Sequence, residues 1–165
     1  MSSYASTSTL HHIAPLLQPV IALNLWTFFM EGWMYATRLP ALTRAQESGK
    51  LKMSPEMTKN EMNAALPAGV RNIADNYNHL LEQPQQFYAV VGVLVAIELA
   101  KSGNAAAVAA VDVWQVRLAW AYVGLRVAHS VWQAAVNVIP TRFALFSGSS
   151  AVLLGMTVRA AMTVF

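Results

Sequence analysis

Two stripes of polar side chains interrupt apolar parts of this sequence, and their residue types suit anion binding. In the first stripe the residues are spaced 0, 4, 7 and 11 apart: Arg71, Asp75, Asn78 and Glu82. In the second the spacing is 0, 3, 7 and 11: Arg126, His129, Gln133 and Asn137. Such spacings place each set on one face of an α-helix. Because arginine binds carboxylates bidentately, the two faces together predict a polar pocket for an anionic ligand.

Two other interpretations of these stripes stay open. Polar side chains close to helix ends commonly pair across a bundle, so the stripes are also explained by an inter-helix network of salt bridges and hydrogen bonds. His79 and His129 also satisfy the minimum requirement for axial ligation of a haem in a four-helix bundle, which is the least favoured interpretation. The chain has no cysteine, which excludes thiolate metal sites and catalytic thiols. We predict no metal site, and any thiol chemistry has to arrive with a substrate.

The composition indicates what kind of element positions these stripes. The chain has 165 residues, of which 56% are hydrophobic and only 12% are charged. An average soluble domain has about 25% charged residues, and a small one has a large surface to cover. This balance excludes a disordered protein and a collagen-like fibre, and the absence of a basic stripe excludes a nucleic-acid partner. We therefore predict an all-α integral membrane protein.

Four segments are predicted to cross the membrane as helices, each of which needs about 20 residues. Their approximate bounds are 13–38, 71–99, 105–138 and 143–165. The second segment is taken as one helix because its apolar part, from Phe87 to Leu99, is too short to span alone. Pro140 ends the third, since the residue before a proline avoids helical geometry. The chain is thus expected to form one four-helix membrane domain over residues 1–165.

Basic residues are concentrated on one side of the predicted bundle. Four crossings place both termini on one side, and they place the polar loop 39–70 and the turn near Arg142 on the other. That second side carries most of the charge: Arg38, Arg44, Lys50, Lys52, Lys59, Arg71 and Arg142. The opposite loop holds only Lys101. By the positive-inside rule the loop 39–70 is cytoplasmic and both termini are non-cytoplasmic.

The motifs at both stripes resemble those of the MAPEG family, the membrane-associated proteins of eicosanoid and glutathione metabolism. The run from Arg71 to Pro84 is similar to the family's second-helix motif, in which polar residues precede a glutamate, here Glu82. The Arg-Val-Ala-His run that begins at Arg126, with the Pro-Thr-Arg run that ends at Arg142, is similar to the third-helix motif. The resemblance covers most of the chain and is closest to the bacterial branch, which implies a bacterial inner membrane.

The resemblance implies a homotrimer of four-helix protomers, surrounded by lipid, with ligand sites between neighbouring subunits. Enzymes of the family bind glutathione near the cytoplasmic side and activate its thiol for conjugation, isomerisation or peroxide reduction of a lipophilic substrate. By position, Arg142 is the catalytic residue that holds the thiolate, and Glu82 binds the amine of the ligand. The ligand-binding set that the resemblance implies is Arg38, Arg71, Asn78, His79, Glu82, Arg126 and His129.

Four positions differ from the pattern of the glutathione-binding members. Asp75 stands where those members have an arginine, and His79 where they have an asparagine. Gln133 replaces a tyrosine, and Phe146 lacks the hydroxyl of the family's aromatic residue. Because an aspartate repels a ligand that carries carboxylates, a second function stays open: a non-catalytic accessory or structural subunit of a larger membrane assembly.

One feature distinguishes the two functions. An enzyme needs Arg126 and Arg142 open to a ligand. If Asp75 and Glu82 neutralise these arginines inside the protein, no positive charge is left for a substrate.

Overall fold

The computed structural model describes the backbone of residues 2–102 and 111–165, with side chains from residues 9–101 and 111–165. Over these ranges the regular structure is entirely helical, which confirms the predicted all-α class. The helices are α1 (Ser2–Glu47), α2 (Lys59–Ala64), α3 (Ala68–Glu82), α4 (Pro84–Ser102), α5 (Val113–Ala135) and α6 (Ile139–Val164). The predicted beginning of the third span, near residue 105, lies outside the described residues.

Three stretches of the described chain are long and apolar enough to cross a membrane. They are Thr9–Glu47, Ala68–Lys101 and Ile139–Val164, which coincide with the first, second and fourth predicted spans. The third predicted span contains α5, which is not among the three stretches that are apolar enough to cross a membrane. The reason is its polar content, which includes Arg117, Arg126 and Gln133.

The first helix continues beyond the predicted end at residue 38, through Pro40, to Glu47. Proline removes one backbone donor, but the residues that follow it are mostly good helix formers, and Ala45 is buried. The helix ends where Gly49 adopts a left-handed conformation, with φ +71°, which glycine reaches without a Cβ clash. The Leu51 N–H then donates to the Ala45 carbonyl at 3.0 Å. The polar loop therefore starts at residue 48.

A short helix, α2, forms inside the predicted loop because two reciprocal hydrogen bonds between Thr58 and Glu61 cap its N-terminus. The Thr58 hydroxyl accepts from the Glu61 N–H at 3.2 Å, and the Glu61 carboxylate accepts from the Thr58 N–H at 2.8 Å. This reciprocal pair is a capping box. Hydrogen bonds from the Thr58 backbone and hydroxyl also lower the pKa of Glu61 below its ordinary value.

The predicted second helix is divided into α3 and α4 at Gln83. Pro84 lacks an N–H, and its ring clashes with the carbonyl four residues earlier, which kinks or breaks a helix. Here the helix is divided, whereas α1 continues through its prolines. The chain makes a single turn there, in which the Gln86 N–H donates to the Gln83 carbonyl at 3.1 Å. The two halves still form one candidate membrane span.

Two apolar clusters hold the helices together. The larger joins α1, α4, α5 and α6, and at its centre the rings of Phe87 and Tyr122 stack with 4.5 Å between centroids. The smaller joins α1, α3 and α5 around Met30, Ile73 and Leu80. This packing places α3 beside α5, so the two polar stripes predicted from the sequence lie on neighbouring helices.

Candidate functional site

A pocket of about 250 Å³ lies between α3, α5 and α6. The polar residues that line it come from α3, from α5 and from the start of α6, in that order: His79, His129 and Arg142. Its apolar lining comes from the first two turns of α6: Ile139, Phe143 and Phe146. Three of the predicted site residues are thus brought together, although up to 63 positions separate them in the sequence.

The two histidines form the inner wall of this pocket. Their ring centroids are 6.1 Å apart, and the Phe146 ring lies 6.4 Å from His79 and 5.9 Å from His129. The Nδ1 atom of each histidine is buried without a hydrogen-bond partner in the described structure. A buried polar atom without a partner costs about 1–3 kcal/mol.

Arg142 is held at the pocket by a chain of two asparagines. Its Nη1 donates to Asn137 Oδ1 at 2.8 Å, and Asn137 Nδ2 donates to Asn72 Oδ1 at 2.9 Å. Asn137 has φ +56° just after the end of α5, and its N–H donates to the Trp132 carbonyl at 2.8 Å. Asparagine is one of the few residues besides glycine that tolerates this left-handed conformation. The end of α5 therefore fixes the position of the Arg142 guanidinium.

Arg126 lies behind the pocket rather than on its lining. Its side chain is fully buried, and Nη2 donates to the His79 carbonyl at 2.7 Å. Nη1 reaches Gln83 Oε1 at 3.5 Å, and the guanidinium carbon is 5.7 Å from the Phe146 ring centroid. Its Nε has no partner within the described structure. In the single chain Arg126 thus supports the residues that form the wall.

The acidic residues of the first stripe form no salt bridge with these arginines. Asp75 and Glu82 are both exposed. The ion pairs of the described residues lie elsewhere: His12 with Glu98, Lys101 with Glu98, and Asp112 with Arg159. Arg126 and Arg142 therefore have no acidic partner within the described chain. The requirement that both arginines be open to a ligand is met only by Arg142, because Arg126 is fully buried and does not line the pocket.

The remaining predicted ligand contacts do not line the pocket. Arg38 Nη2 donates to Asn63 Oδ1 at 3.1 Å, and Arg71 Nη1 donates to the Asn63 carbonyl at 3.3 Å. Both arginines are thus attached to α2, the short helix of the polar loop. Asn78 is half-buried on α3, outside the pocket lining.

One polar residue of the site, Gln83, was not singled out from the sequence. Its Nε2 donates to Ser150 Oγ at 2.5 Å, while its Oε1 accepts from Ser149 Oγ at 3.4 Å and from Arg126. The signal that would have drawn attention to it is Pro84, which follows it at the division between α3 and α4, although Gln83 itself keeps helical dihedrals, with φ −80° and ψ −33°. Asn72, which holds Asn137, has no comparable signal in the sequence.

The described residues contain no group of three or more His, Cys, Asp or Glu side chains placed to hold a metal ion. The pocket is lined by one cationic guanidinium, two imidazoles and an apolar wall. These groups can bind an anion that carries an apolar part.

Comparison with known protein families gives one match. The model of the MAPEG family matches residues 16–162 of the 165-residue chain. No curated protein and no solved structure matches the chain.

Proposed function

The chain belongs to the MAPEG family, and its apolar helices make it an integral membrane protein. From this premise we propose that it is an enzyme that binds an anionic thiol of the glutathione class and transfers it to a lipophilic substrate. One observation carries the proposal: Arg142, His79 and His129 line one pocket together with the apolar first turns of α6. No described carboxylate neutralises that arginine.

The proposed role of Arg142 is to stabilise the thiolate of the ligand. A free thiol has a pKa of about 8.5, and lowering it by about two units takes roughly 2.7 kcal/mol of preferential thiolate stabilisation. A guanidinium fixed in a low-dielectric pocket can supply that amount. The thiol proton leaves to water, and the sulfur lone pair forms a bond to an electrophilic carbon of a substrate double bond. The π electron pair of that double bond moves to the neighbouring atom and takes up a proton from water. Ile139 and Phe143 are mostly exposed beside the pocket and offer an apolar surface to that substrate.

We also propose that a neighbouring subunit completes the site in a homotrimer. The pocket volume of about 250 Å³ is below the range of about 300–1,000 Å³ that small-molecule sites usually have. Glu82 is an exposed carboxylate inside a candidate membrane span, and such a charge is costly in lipid without a partner. The amine of a ligand held between two subunits is the partner that suits it. Arg38 and Arg71 would then bind ligand only after α2 releases them.

The proposed location is a bacterial inner membrane, with the polar loop on the cytoplasmic side and both termini on the other. The support is the excess of Lys and Arg in that loop. Reporter fusions at the two termini test it: we expect both to be active only as non-cytoplasmic reporters.

The experiment that tests the enzyme proposal is a titration of the purified protein in detergent with glutathione. Thiolate absorbance and binding heat are followed together. We expect micromolar-to-millimolar binding with thiolate formation near neutral pH. Arg142→Ala is expected to abolish thiolate formation and leave assembly intact. Arg159→Ala is the matched control, because Arg159 lies on the same helix but pairs with Asp112.

The second candidate function is an accessory or structural subunit of a larger membrane assembly. Asp75 favours it, because a carboxylate replaces the arginine of the glutathione-binding members. Absence of binding at several millimolar glutathione would support this function, as would loss of the trimer in Arg142→Ala. If the family's pocket is retained instead, Asp75→Arg raises the affinity for glutathione.

A further inference from the structure

A second pocket lies where the first helix ends, and it shares no lining residue with the pocket at Arg142. It has a volume of about 170 Å³ and is formed by the last turns of α1, the following loop and the segment before α3. Its polar lining consists of Arg44, Ser48 and Lys50, and the remaining lining residues are alanines and Pro67. No carboxylate lines this pocket, so its charge is positive.

Both cations of this second pocket lack acidic partners. Arg44 and Lys50 are exposed, and neither belongs to an ion pair of the described structure. Ser48 is neutral, and its hydroxyl donates to the Ala45 carbonyl at 3.1 Å. The positive charge therefore comes from Arg44 and Lys50 alone. Two unpaired cations at a concave surface concentrate anions there.

The surroundings of this pocket reinforce the positive charge. The segment from residue 38 to residue 71 contains twice as many basic as acidic residues. The six basic residues are Arg38, Arg44, Lys50, Lys52, Lys59 and Arg71, and the three acidic residues are Glu47, Glu56 and Glu61. Pro67, which lines the pocket, precedes the 15-residue helix α3 without a side-chain cap. The free N–H groups of that helix end add a partial positive charge to the field of the two cations.

The position of the pocket along α1 identifies where in a membrane it lies. The candidate span Thr9–Glu47 has 39 residues, which corresponds to about 58 Å of helix at about 1.5 Å per residue. The hydrocarbon core of a bilayer is only about 30 Å thick. Residues 13–38, the part of α1 predicted to cross, are long enough to fill that thickness by themselves, so the last turns of α1 extend past the hydrocarbon and the pocket lies at the level of the lipid headgroups or just beyond.

From these observations we propose that the pocket of Arg44 and Lys50 binds the phosphate group of an anionic phospholipid. Its volume of about 170 Å³ equals roughly five to six water volumes of about 30 Å³ each, which suits a phosphate group and is too small for a peptide-sized ligand. A Lys or Arg side chain that lies against an anionic lipid headgroup raises the affinity for that lipid by about fivefold. This inference is independent of the thiol-binding function.

The test measures lipid binding by native mass spectrometry of the purified protein in a neutral detergent. Short-chain phosphatidylglycerol is compared with phosphatidylcholine of the same chain length. We expect the wild-type protein to prefer phosphatidylglycerol. The double variant Arg44→Gln/Lys50→Gln is expected to bind it roughly 25-fold less tightly, with phosphatidylcholine binding unchanged.

The matched control is Lys52→Gln/Lys59→Gln, which removes the same charge from exposed positions that do not line the pocket. It is expected to stay within about twofold of the wild type. Equal loss in both double variants would overturn the assigned site, because general surface charge would then explain the binding. Equal affinity of the wild type for the two lipids would also overturn it.

Inorganic phosphate distinguishes a lipid headgroup from a free phosphate ion. We expect it to displace phosphatidylglycerol only weakly, because the lipid also contacts the apolar surface of α1. Displacement by micromolar phosphate would overturn the lipid assignment. Elution of the variants as folded protein in gel filtration is the folding control, and Lys50→Glu provides a second variant that should lose binding in the same way.

Discussion

Asn137 offers the sharpest test of how the site is built, because one residue both ends α5 and holds the catalytic candidate. It has φ +56°, accepts a hydrogen bond from Arg142 and donates one to Asn72. Asn137→Ala removes both bonds and places a Cβ-bearing residue with no local hydrogen bond in the left-handed region. Asn137→Gly removes the same two bonds but leaves the backbone without strain.

The magnitudes follow from these separate losses. A neutral hydrogen bond contributes about 0.5–1.5 kcal/mol and one to a charged group about 1.5–3 kcal/mol. The left-handed conformation costs an alanine roughly 1–2 kcal/mol. Because Arg142 is only half-buried, its bond is counted at the low end. We therefore expect Asn137→Ala to lower the free energy of unfolding by about 3 kcal/mol, and Asn137→Gly by about 1 kcal/mol less.

The assay is equilibrium unfolding in mixed detergent, followed by tryptophan fluorescence. Asn24→Ala is the matched control, since Asn24 is exposed within α1 and its loss is expected to change little. Thiolate formation with glutathione is a second readout, in which both Asn137 variants should be equally impaired because both release Arg142. Equal stability of the alanine and glycine variants would refute the left-handed cap. Wild-type stability of both would refute the whole chain of hydrogen bonds.

Three further changes test the packing and the polar loop. Gln83→Leu should lower the free energy of unfolding by about 2–3 kcal/mol, and with it the thermal unfolding temperature. The reason is that Arg126 and the Ser150 hydroxyl each lose a hydrogen-bond partner. Phe87→Ala should cost about 3–5 kcal/mol in the same measurement, since Phe87 is fully buried. A loss under 1 kcal/mol in either variant would contradict the packing. Because hydrogen bonds lower the pKa of Glu61, its contribution to α2 is complete above the ordinary glutamate pKa and is lost as the pH falls through the lowered value. Hydrogen exchange of the α2 amides should follow that pH dependence in the wild type but not in Glu61→Gln.

Much of the architecture was predictable because it depends on local properties of the chain. Composition alone separates a lipid-embedded protein from a soluble one, and the repeat of about 3.6 residues identifies the faces of single helices. The structure confirms the all-α class, and its described part contains three candidate membrane spans. The ends of the helices were predicted less well. The first helix continues through Pro40, past its predicted end at residue 38, whereas Pro84 divides the predicted second helix into two.

The difference between those two prolines is decided by their surroundings. Pro40 is exposed, but exposure does not by itself explain why α1 continues there, because α1 also continues through the buried Pro19. Pro84 is buried beside Gln83, whose side chain bonds to Ser150 on α6 once the helix is broken. No rule that considers only neighbours in the sequence distinguishes these two cases.

What the sequence by itself determined is the set of helices and the residue types on each face, including the stripes that begin at Arg71 and Arg126. What only the tertiary structure decided is which of those side chains meet. Of the two predicted faces, His79 and His129 line a pocket with Arg142, while Arg126 supports the wall from behind. The physical reason is that periodicity orients a side chain about its own helix axis, whereas the depth and rotation of one helix against another depend on packing between residues far apart in the chain.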